Sequence, residues 1–172
     1  MKEMEPKTDW APEAVQRVLA LAGWPERRME LVCQPAGKTQ AEEELHELQA
    51  EPSVLAGLWL YCGRFERSHS ISQDLNTPEG SYWHGILHRQ EPDDWNAGYW
   101  FRRAGRHPIH QELGARAAQA GFGAGRWDAE EFIRFCAAAR REGAEKSKLA
   151  REIQHIEFEL LLKWCLRHGK MK

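Results

Sequence analysis

TPEGSYWHGILHRQEPDDWNAGYWFRRAG, residues 77–105, is the stretch that decides the fold. Its first half predicts a helix that ends at Gln90, because NTP at 76–78 is typical of a turn followed by a helix start. Pro92 disfavours the α conformation of the residue before it, while its own fixed φ suits the first turn of a second helix. Gly105 stands where a left-handed helix cap is expected. Two consecutive helices joined by a proline corner are therefore predicted.

Helical signals recur on both sides of this stretch, and strand patterns are nearly absent. Thr39 and Glu42 have the T-x-x-E spacing of a capping box, and Asp128 with Glu131 predicts a second cap of the same kind. A final helix from about residue 145 to 168 shows the clearest amphipathic periodicity in the chain. The sequence therefore predicts an all-α fold.

The length of 172 residues is typical of one domain with its own hydrophobic core. We expect a mobile N-terminal tail at residues 1–9, followed by a single helical domain at residues 10–172. The segment from Trp24 to Lys38 is expected to be irregular, with one short helix through Met29 to Val32. In total the patterns predict a single-domain helical bundle of about seven or eight helices.

Charge and hydropathy exclude several classes of protein. The 26 acidic and 24 basic residues give a formal net charge of −2, which argues against sequence-independent nucleic-acid binding and against a polybasic membrane surface. No segment has the roughly 18 consecutive apolar residues of a membrane span, and the polar start lacks a signal peptide. We expect a soluble, cytoplasmic protein whose partners include neither nucleic acid nor membrane.

Three polar arcs are predicted on consecutive helices around the proline corner, because side chains three or four residues apart share one face of a helix. The arcs comprise Phe65, His69, Ser72 and Gln73 on the first helix, His84, His88 and Glu91 on the second, and Asn96, Tyr99, Trp100 and Arg103 on the third. The turn at 76–78 can fold the first arc back toward the second. These arcs are where a functional site is expected.

The preferred hypothesis is a pocket that binds a small polar or anionic molecule. Arginines and histidines would supply charge-assisted hydrogen bonds, the asparagine both a donor and an acceptor, and the aromatic rings an apolar wall. A histidine or Glu91 would shuttle a proton if the pocket is catalytic. The candidate ligand-binding residues are His69, Gln73, Arg89, Asn96, Tyr99, Trp100, Arg103 and His107. The candidate catalytic residues are His84, His88 and Glu91.

A metal-dependent enzyme is the first alternative. His84 and His88, four residues apart on a helix, can reach one ion, and Glu91 or His69 would complete the set. Two observations count against it. The run H-G-I-L-H lacks the glutamate of the zincin motif, and a helix C-terminus favours the charged form of His88, whereas a metal ligand must be neutral. No cofactor is required by the sequence, and a divalent metal belongs to this alternative.

A structural or partner-binding protein is the second alternative. The aspartates after Pro92 and the arginines before Gly105 complement the dipole of their helix, and buried histidines often bridge backbone carbonyls. The amphipathic last helix and the exposed aromatic residues would then form an interface, for which a homodimer is the simplest case.

HGILHRQEPDDWNAGYWFRRAGRHP, residues 84–108, resembles a run found in a family of uncharacterised bacterial and fungal proteins. Members of that family carry a similar pattern, H-x-x-x-H-R-x-E…N-x-x-Y-W…G-x-H, and the similarity extends to HSISQ at residues 69–73. The resemblance implies no particular reaction. It implies that the motif includes His84, His88, Arg89, Glu91, Asn96, Tyr99, Trp100, Gly105 and His107, which favours a binding or catalytic role for this stretch.

Overall fold

The computed structural model describes residues 8–34 and 39–169, and this part of the chain contains nine α-helices and no strand. They are α1 (Glu13–Leu21), α2 (Gln40–Glu47), α3 (Pro52–Tyr61), α4 (Phe65–Asp74), α5 (Pro78–Gln90), α6 (Asp94–Ala104), α7 (His110–Ala120), α8 (Ala129–Glu142) and α9 (Ala144–His168). The all-α prediction is confirmed. The nine helices of the described residues slightly exceed the expected seven or eight, and α1 to α4 are short, with eight to ten residues each.

Side-chain caps stabilise two of the predicted helix starts. Thr39 Oγ1 accepts a hydrogen bond from the backbone N–H of Glu42 at 3.3 Å, and Asp128 Oδ1 accepts one from Glu131 at 3.1 Å. Each cap satisfies a backbone donor that the first helical turn leaves without an intrahelical partner. At the corner the cap is Asp93 and α6 begins one residue later, so Pro92 precedes the helix instead of starting it.

The segment between α1 and α2 differs from the prediction at Met29–Val32, which is not helical. The backbone carbonyls of Met29 and Glu30 instead accept hydrogen bonds from Gln154 Nε2 of α9, at 3.2 and 3.3 Å. Because a side chain of α9 satisfies these groups, the segment is held extended against the core. Residues 1–7 of the predicted tail and residues 35–38 lie outside the described part of the chain.

Helix α5 is the centre of the bundle. It packs against α3, α4 and α6, while α9 packs against α3, α7 and α8. Every residue of α5 from Gly80 to Gln90 is buried. Trp83, Ile86 and Leu87 are fully covered by apolar neighbours, but the same helix also carries polar side chains into the interior. Each of these requires a partner, because burying an unpaired polar group is costly.

Arg89 of α5 finds its partner on α9. Its side chain is 1% exposed, and Nη2 lies 2.5 Å from Oε2 of Glu157, which is 0% exposed. Nη1 donates to Glu157 Oε1 at 3.3 Å, and Nη2 also donates to Gln154 Oε1 at 3.2 Å. Tyr82 OH donates to Glu157 Oε1 at 3.1 Å. A fork-shaped ion pair with two neutral neighbours therefore joins α5 to α9 inside the core.

Among the described residues, no helix combines the length and the apolar character that crossing a bilayer requires. The longest, α9, has 25 residues but carries charged side chains along its length, including the buried Glu157.

Replacement of Arg89 by alanine is expected to lower the free energy of unfolding by about 3–5 kcal/mol, because it leaves Glu157 as a buried charge without a counter-charge. Chemical denaturation of the parent and the variant measures this loss. The matched control is Arg17→Ala, since Arg17 is 62% exposed and pairs with Glu44 at the surface. That change is expected to cost less than about 1 kcal/mol. Equal losses in the two variants would contradict the role of the buried pair.

Candidate metal centre

A tight turn between α4 and α5 folds the two helices against each other. Thr77 Oγ1 accepts a hydrogen bond from the backbone N–H of Gly80 at 3.1 Å, which starts α5. A Cβ atom at Gly80 would lie 2.4 Å from Leu75 Cβ and 2.6 Å from the Leu75 carbonyl oxygen. Only glycine permits this approach of α5 to the end of α4. The turn thereby brings one face of α4 onto the histidine-bearing face of α5.

Three histidines meet where α4 and α5 pack together. One ring nitrogen each of His69, His84 and His88 lies within 4.8 Å of those of the other two. The ring centroids of His69 and His84 are 4.5 Å apart, and those of His84 and His88 are 4.8 Å apart. His84 is 2% exposed and His88 9%. We call these three residues the histidine cluster.

His84 is oriented by a serine of α4. Its Nδ1 lies 2.9 Å from Oγ of Ser72, and that hydroxyl is 3.3 Å from the carbonyl oxygen of His69. If the hydroxyl donates to this carbonyl, it accepts from His84 Nδ1–H, and the lone pair is then on His84 Nε2. The sequence placed Ser72 on the same helical face as His69 but assigned it no role, because nothing in its spacing shows which side chain it contacts.

His88 is flanked by carboxylates at the corner between α5 and α6. Its Nδ1 lies 3.1 Å from Glu91 Oε2 and 3.9 Å from Asp93 Oδ2. Glu91 therefore stands behind His88 and is not one of the three clustered ligand residues. Asp93, which sequence reasoning did not include among the site residues, also caps α6 and accepts a hydrogen bond from Asn96 Nδ2 at 2.6 Å. Its only sequence signal was that of a helix cap.

Burial sets the protonation of the cluster. Burial, together with the neighbouring His69 and His88, lowers the pKa of His84 to about 3. Burial also lowers the pKa of His88, and it outweighs Glu91 and Asp93, which raise that pKa. The structure thus differs from the expectation that the helix end would favour the charged form of His88. Both residues are neutral at pH 7, as metal ligands must be.

An aromatic series leads from the cluster to the surface along α6. The rings of His84 and Trp100 are 4.1 Å apart, and Tyr99 lies 5.4 Å from Trp100. Trp95 stacks on Tyr99 at 6.4 Å and is 75% exposed. Arg103 lies over the Trp100 ring at 5.4 Å. The predicted aromatic wall therefore does border the cluster, and it is continuous with the exposed surface of α6.

Other predicted site residues lie elsewhere. Arg89 faces α9 and is engaged by Glu157 in the core. His107 lies on another side of α5, where its ring is 5.4 Å from that of Tyr82 and its Nε2 is 3.5 Å from Glu79 Oε1. Gln73 is exposed at the end of α4. The structure thus brings the histidines and Trp100 together but separates them from Arg89 and His107.

Three imidazoles held in this way can coordinate a single metal ion. Around a tetrahedral zinc ion with Zn–N bonds of about 2.0–2.1 Å, ligand nitrogens stand about 3.3–3.4 Å apart. The separations of up to 4.8 Å in the cluster would have to close by up to about 1.5 Å through side-chain rotation. Comparisons of the chain with protein family models, curated proteins and solved structures found no match.

A fourth buried histidine, His155, has a packing role. Its ring stacks on that of Trp24 with centroids 4.1 Å apart, and its buried Nδ1 has no hydrogen-bond partner within residues 8–34 and 39–169. Burial lowers the pKa of His155 to about 4, and the nearby Arg28 acts in the same direction. Because an unfolded histidine has a pKa of about 6.5, the unfolded chain takes up a proton here between pH 6.5 and 4 that the folded chain does not.

The variant His155→Phe is therefore expected to lose less stability than the parent on acidification from pH 6.5 to 4, because it removes one group that the unfolded state protonates first. Phenylalanine keeps the stacking on Trp24. Unfolding free energies measured at several pH values test this, with His168→Phe at the exposed end of α9 as the control. The same decline in His155→Phe as in the parent would contradict the assignment of a neutral, buried His155.

Proposed function

We propose that this chain binds one divalent transition-metal ion, with zinc as the best fit, through His69, His84 and His88. The observation that carries the proposal is the convergence of three imidazoles from two helices, each offering a nitrogen within 4.8 Å of the others. Imidazole nitrogen is a preferred ligand of zinc, copper, iron and nickel, whereas calcium and magnesium prefer oxygen. Tetrahedral coordination by three histidines is an established arrangement for catalytic zinc.

The groups behind the histidines support the same proposal. Metal-binding histidines usually donate their second ring N–H to a carboxylate, a carbonyl or a water, which fixes the tautomer and orients the ring. The Ser72 hydroxyl lies in that position for His84. Glu91 Oε2 lies 3.1 Å from His88 Nδ1, but that nitrogen makes no hydrogen bond in the described part of the chain, so a small side-chain rotation is needed before Glu91 can orient the ring. In each case the nitrogen that remains for a metal is Nε2.

The proposed chemistry is activation of a water molecule. Three protein ligands leave a fourth position of a tetrahedral ion for water or substrate, and zinc lowers the pKa of a bound water to about 7. An ion held by the three histidines would supply a nucleophilic water for attack on a small polar substrate. Trp100, beside His84, would provide an apolar wall that restricts water at the reacting centre. The proposed function is thus that of a metal-dependent hydrolytic enzyme.

Binding of an organic anion directly by the histidines stays a prediction. The arginines named for it are engaged elsewhere: Arg89 binds Glu157, and Arg103 Nη2 donates to Asn76 Oδ1 at 3.1 Å. The carboxylates of Glu91 and Asp93 beside His88 favour a cation at this place over an anion. We therefore give the metal precedence.

Zinc titration of the metal-free protein is expected to give one ion per chain, and His84→Ala or His88→Ala is expected to weaken binding by roughly a hundredfold or more, since each removes one of three ligands. Competition with a chromophoric chelator measures the affinity, and cobalt absorption spectra report the coordination number. The control is His168→Ala, which removes an exposed histidine on α9. Circular dichroism verifies that each variant is folded. Unchanged affinity in folded His84→Ala and His88→Ala proteins would refute the site.

Glu91→Gln is expected to weaken zinc binding by about 10–100-fold without changing the stoichiometry, because the glutamine no longer orients His88 as a carboxylate does. Glu66→Gln on the exposed side of α4 is the matched control for the loss of one negative charge. Loss of stoichiometric binding in Glu91→Gln would instead make Glu91 a direct ligand. If Glu91→Gln and Glu66→Gln weakened zinc binding equally, Glu91 would act only through its charge and would not orient His88.

A further inference from the structure

A cavity lies between the two loops that flank α7. It has a volume of about 1010 Å³ and is lined by residues of the 105–109 segment, the first turn of α7 and the 121–128 segment, among them Arg106, His110, Gln111, Arg126 and Trp127. Among the described residues, no carboxylate side chain lines this cavity. Its lining therefore carries a net positive charge.

Arg106 and Arg126 have no counter-ion among the described residues. Both are exposed, and neither guanidinium forms an ion pair or a hydrogen bond within the described residues. Arg102, one turn earlier on α6, shows the ordinary alternative, since it pairs with Glu130. Two cations that share a cavity without a carboxylate repel each other, so an anion bound between them would relieve this repulsion.

The loop that carries Arg126 is held firmly against α7. A Cβ atom at Gly114 of α7 would lie 2.4 Å from the Gly125 carbonyl oxygen and 2.8 Å from the Trp127 backbone nitrogen. Glycine at 114 is thus required for this backbone-to-backbone contact. Trp127 itself is 8% exposed and packs on Phe132 with ring centroids 5.1 Å apart. Arg126 therefore extends from an anchored segment, which reduces the entropy lost when a ligand binds.

Neutral donors supplement the two arginines. His110 Nδ1 accepts a hydrogen bond from the backbone N–H of His107 at 3.3 Å, so its own proton is on Nε2. That Nε2–H is buried and has no hydrogen-bond partner in the described part of the chain, so a ligand reaches it only after the ring turns toward the cavity. Gln111, the next residue of α7, adds a side-chain amide to the lining. A ligand with several acceptor oxygens would satisfy more of these donors than a single carboxylate can.

We propose that this cavity binds the phosphoryl group of a small organic phosphate. A phosphate dianion presents three acceptor oxygens, which match two forked guanidinium groups and neutral N–H donors. The cavity of about 1010 Å³ is much larger than a phosphate ion and has the size of pockets that enclose whole small molecules. Trp127 supplies an apolar wall for the organic part. His107 also lines this cavity, and the rings of His107 and His110 lie 5.4 and 5.7 Å from that of Tyr82 on α5. The residues of the histidine cluster are not part of the lining.

Calorimetric titration of the full-length, metal-free protein tests this proposal with four probes: inorganic phosphate, a nucleoside monophosphate, a sugar phosphate and a dicarboxylate. Removing metal beforehand keeps phosphate from binding to an ion at the histidine cluster. At least one organic phosphate is expected to bind more than about tenfold more tightly than inorganic phosphate. Arg106→Gln and Arg126→Gln are each expected to weaken that binding by about tenfold or more, the usual effect of losing one charge-assisted contact.

Arg134→Gln, which removes an exposed arginine of α8, is the control for overall charge and is expected to bind as the parent does. The tighter of the two organic phosphates identifies the kind of molecule to which the phosphoryl group belongs. Failure of both organic phosphates to bind at millimolar concentration would overturn the proposal. So would inorganic phosphate or the dicarboxylate binding as tightly as the organic phosphates, or Arg134→Gln weakening binding as much as the cavity variants.

Discussion

The ion pair between Arg89 and Glu157 is the constraint on which the arrangement of the bundle depends. It joins residues 68 positions apart in the sequence, and both side chains are almost completely removed from solvent. Such a pair adds little net stability compared with apolar packing, but a misplaced partner would leave a buried charge alone. Helix α5 can therefore take only rotations that point Arg89 at α9. With that rotation fixed, His84 and His88 point away from α9, toward α4 and α6.

Burial gives the histidine cluster its chemical character. A solvent-exposed trio of histidines would be partly protonated near neutral pH, and the charges would repel one another. In this fold the same burial that covers α5 lowers the pKa values of His84 and His88. It leaves neutral nitrogens, with Ser72 and Glu91 placed behind two of the rings. One physical cause, the central position of α5, thus supplies both the positions and the protonation state that a metal site needs.

Local features of the fold could be predicted from the sequence because they depend on neighbouring residues. The caps at Thr39 and Asp128 and the helix over residues 78–90 follow from spacing and backbone preference. Gly105 has the positive φ that only glycine adopts readily, but its ψ of −154° is not that of the left-handed cap predicted for it. The proximity of His69 to His84 could also be predicted, since a single tight turn separates their helices. Periodicity identified which residues share a helical face, and the short connection indicated which faces meet.

Other features depend on contacts between distant parts of the chain and could not be predicted. Arg89 belongs to the same motif as the histidines, yet its partners are on α9, and only the packed structure shows that it faces the core. Met29–Val32 lacks the predicted helix because Gln154, more than a hundred residues away, binds its carbonyls. The pKa of His88 followed burial and not the helix end. In each case a long-range contact outweighed a local preference.

The most direct measurement of the central claim is an anomalous diffraction map recorded at the zinc absorption edge from crystals grown with stoichiometric zinc. We expect one strong peak between α4 and α5, at about 2.0–2.1 Å from nitrogens of His69, His84 and His88, with Glu91 still beside His88 Nδ1. A map without a peak there, or with its peak on other side chains, would contradict the account.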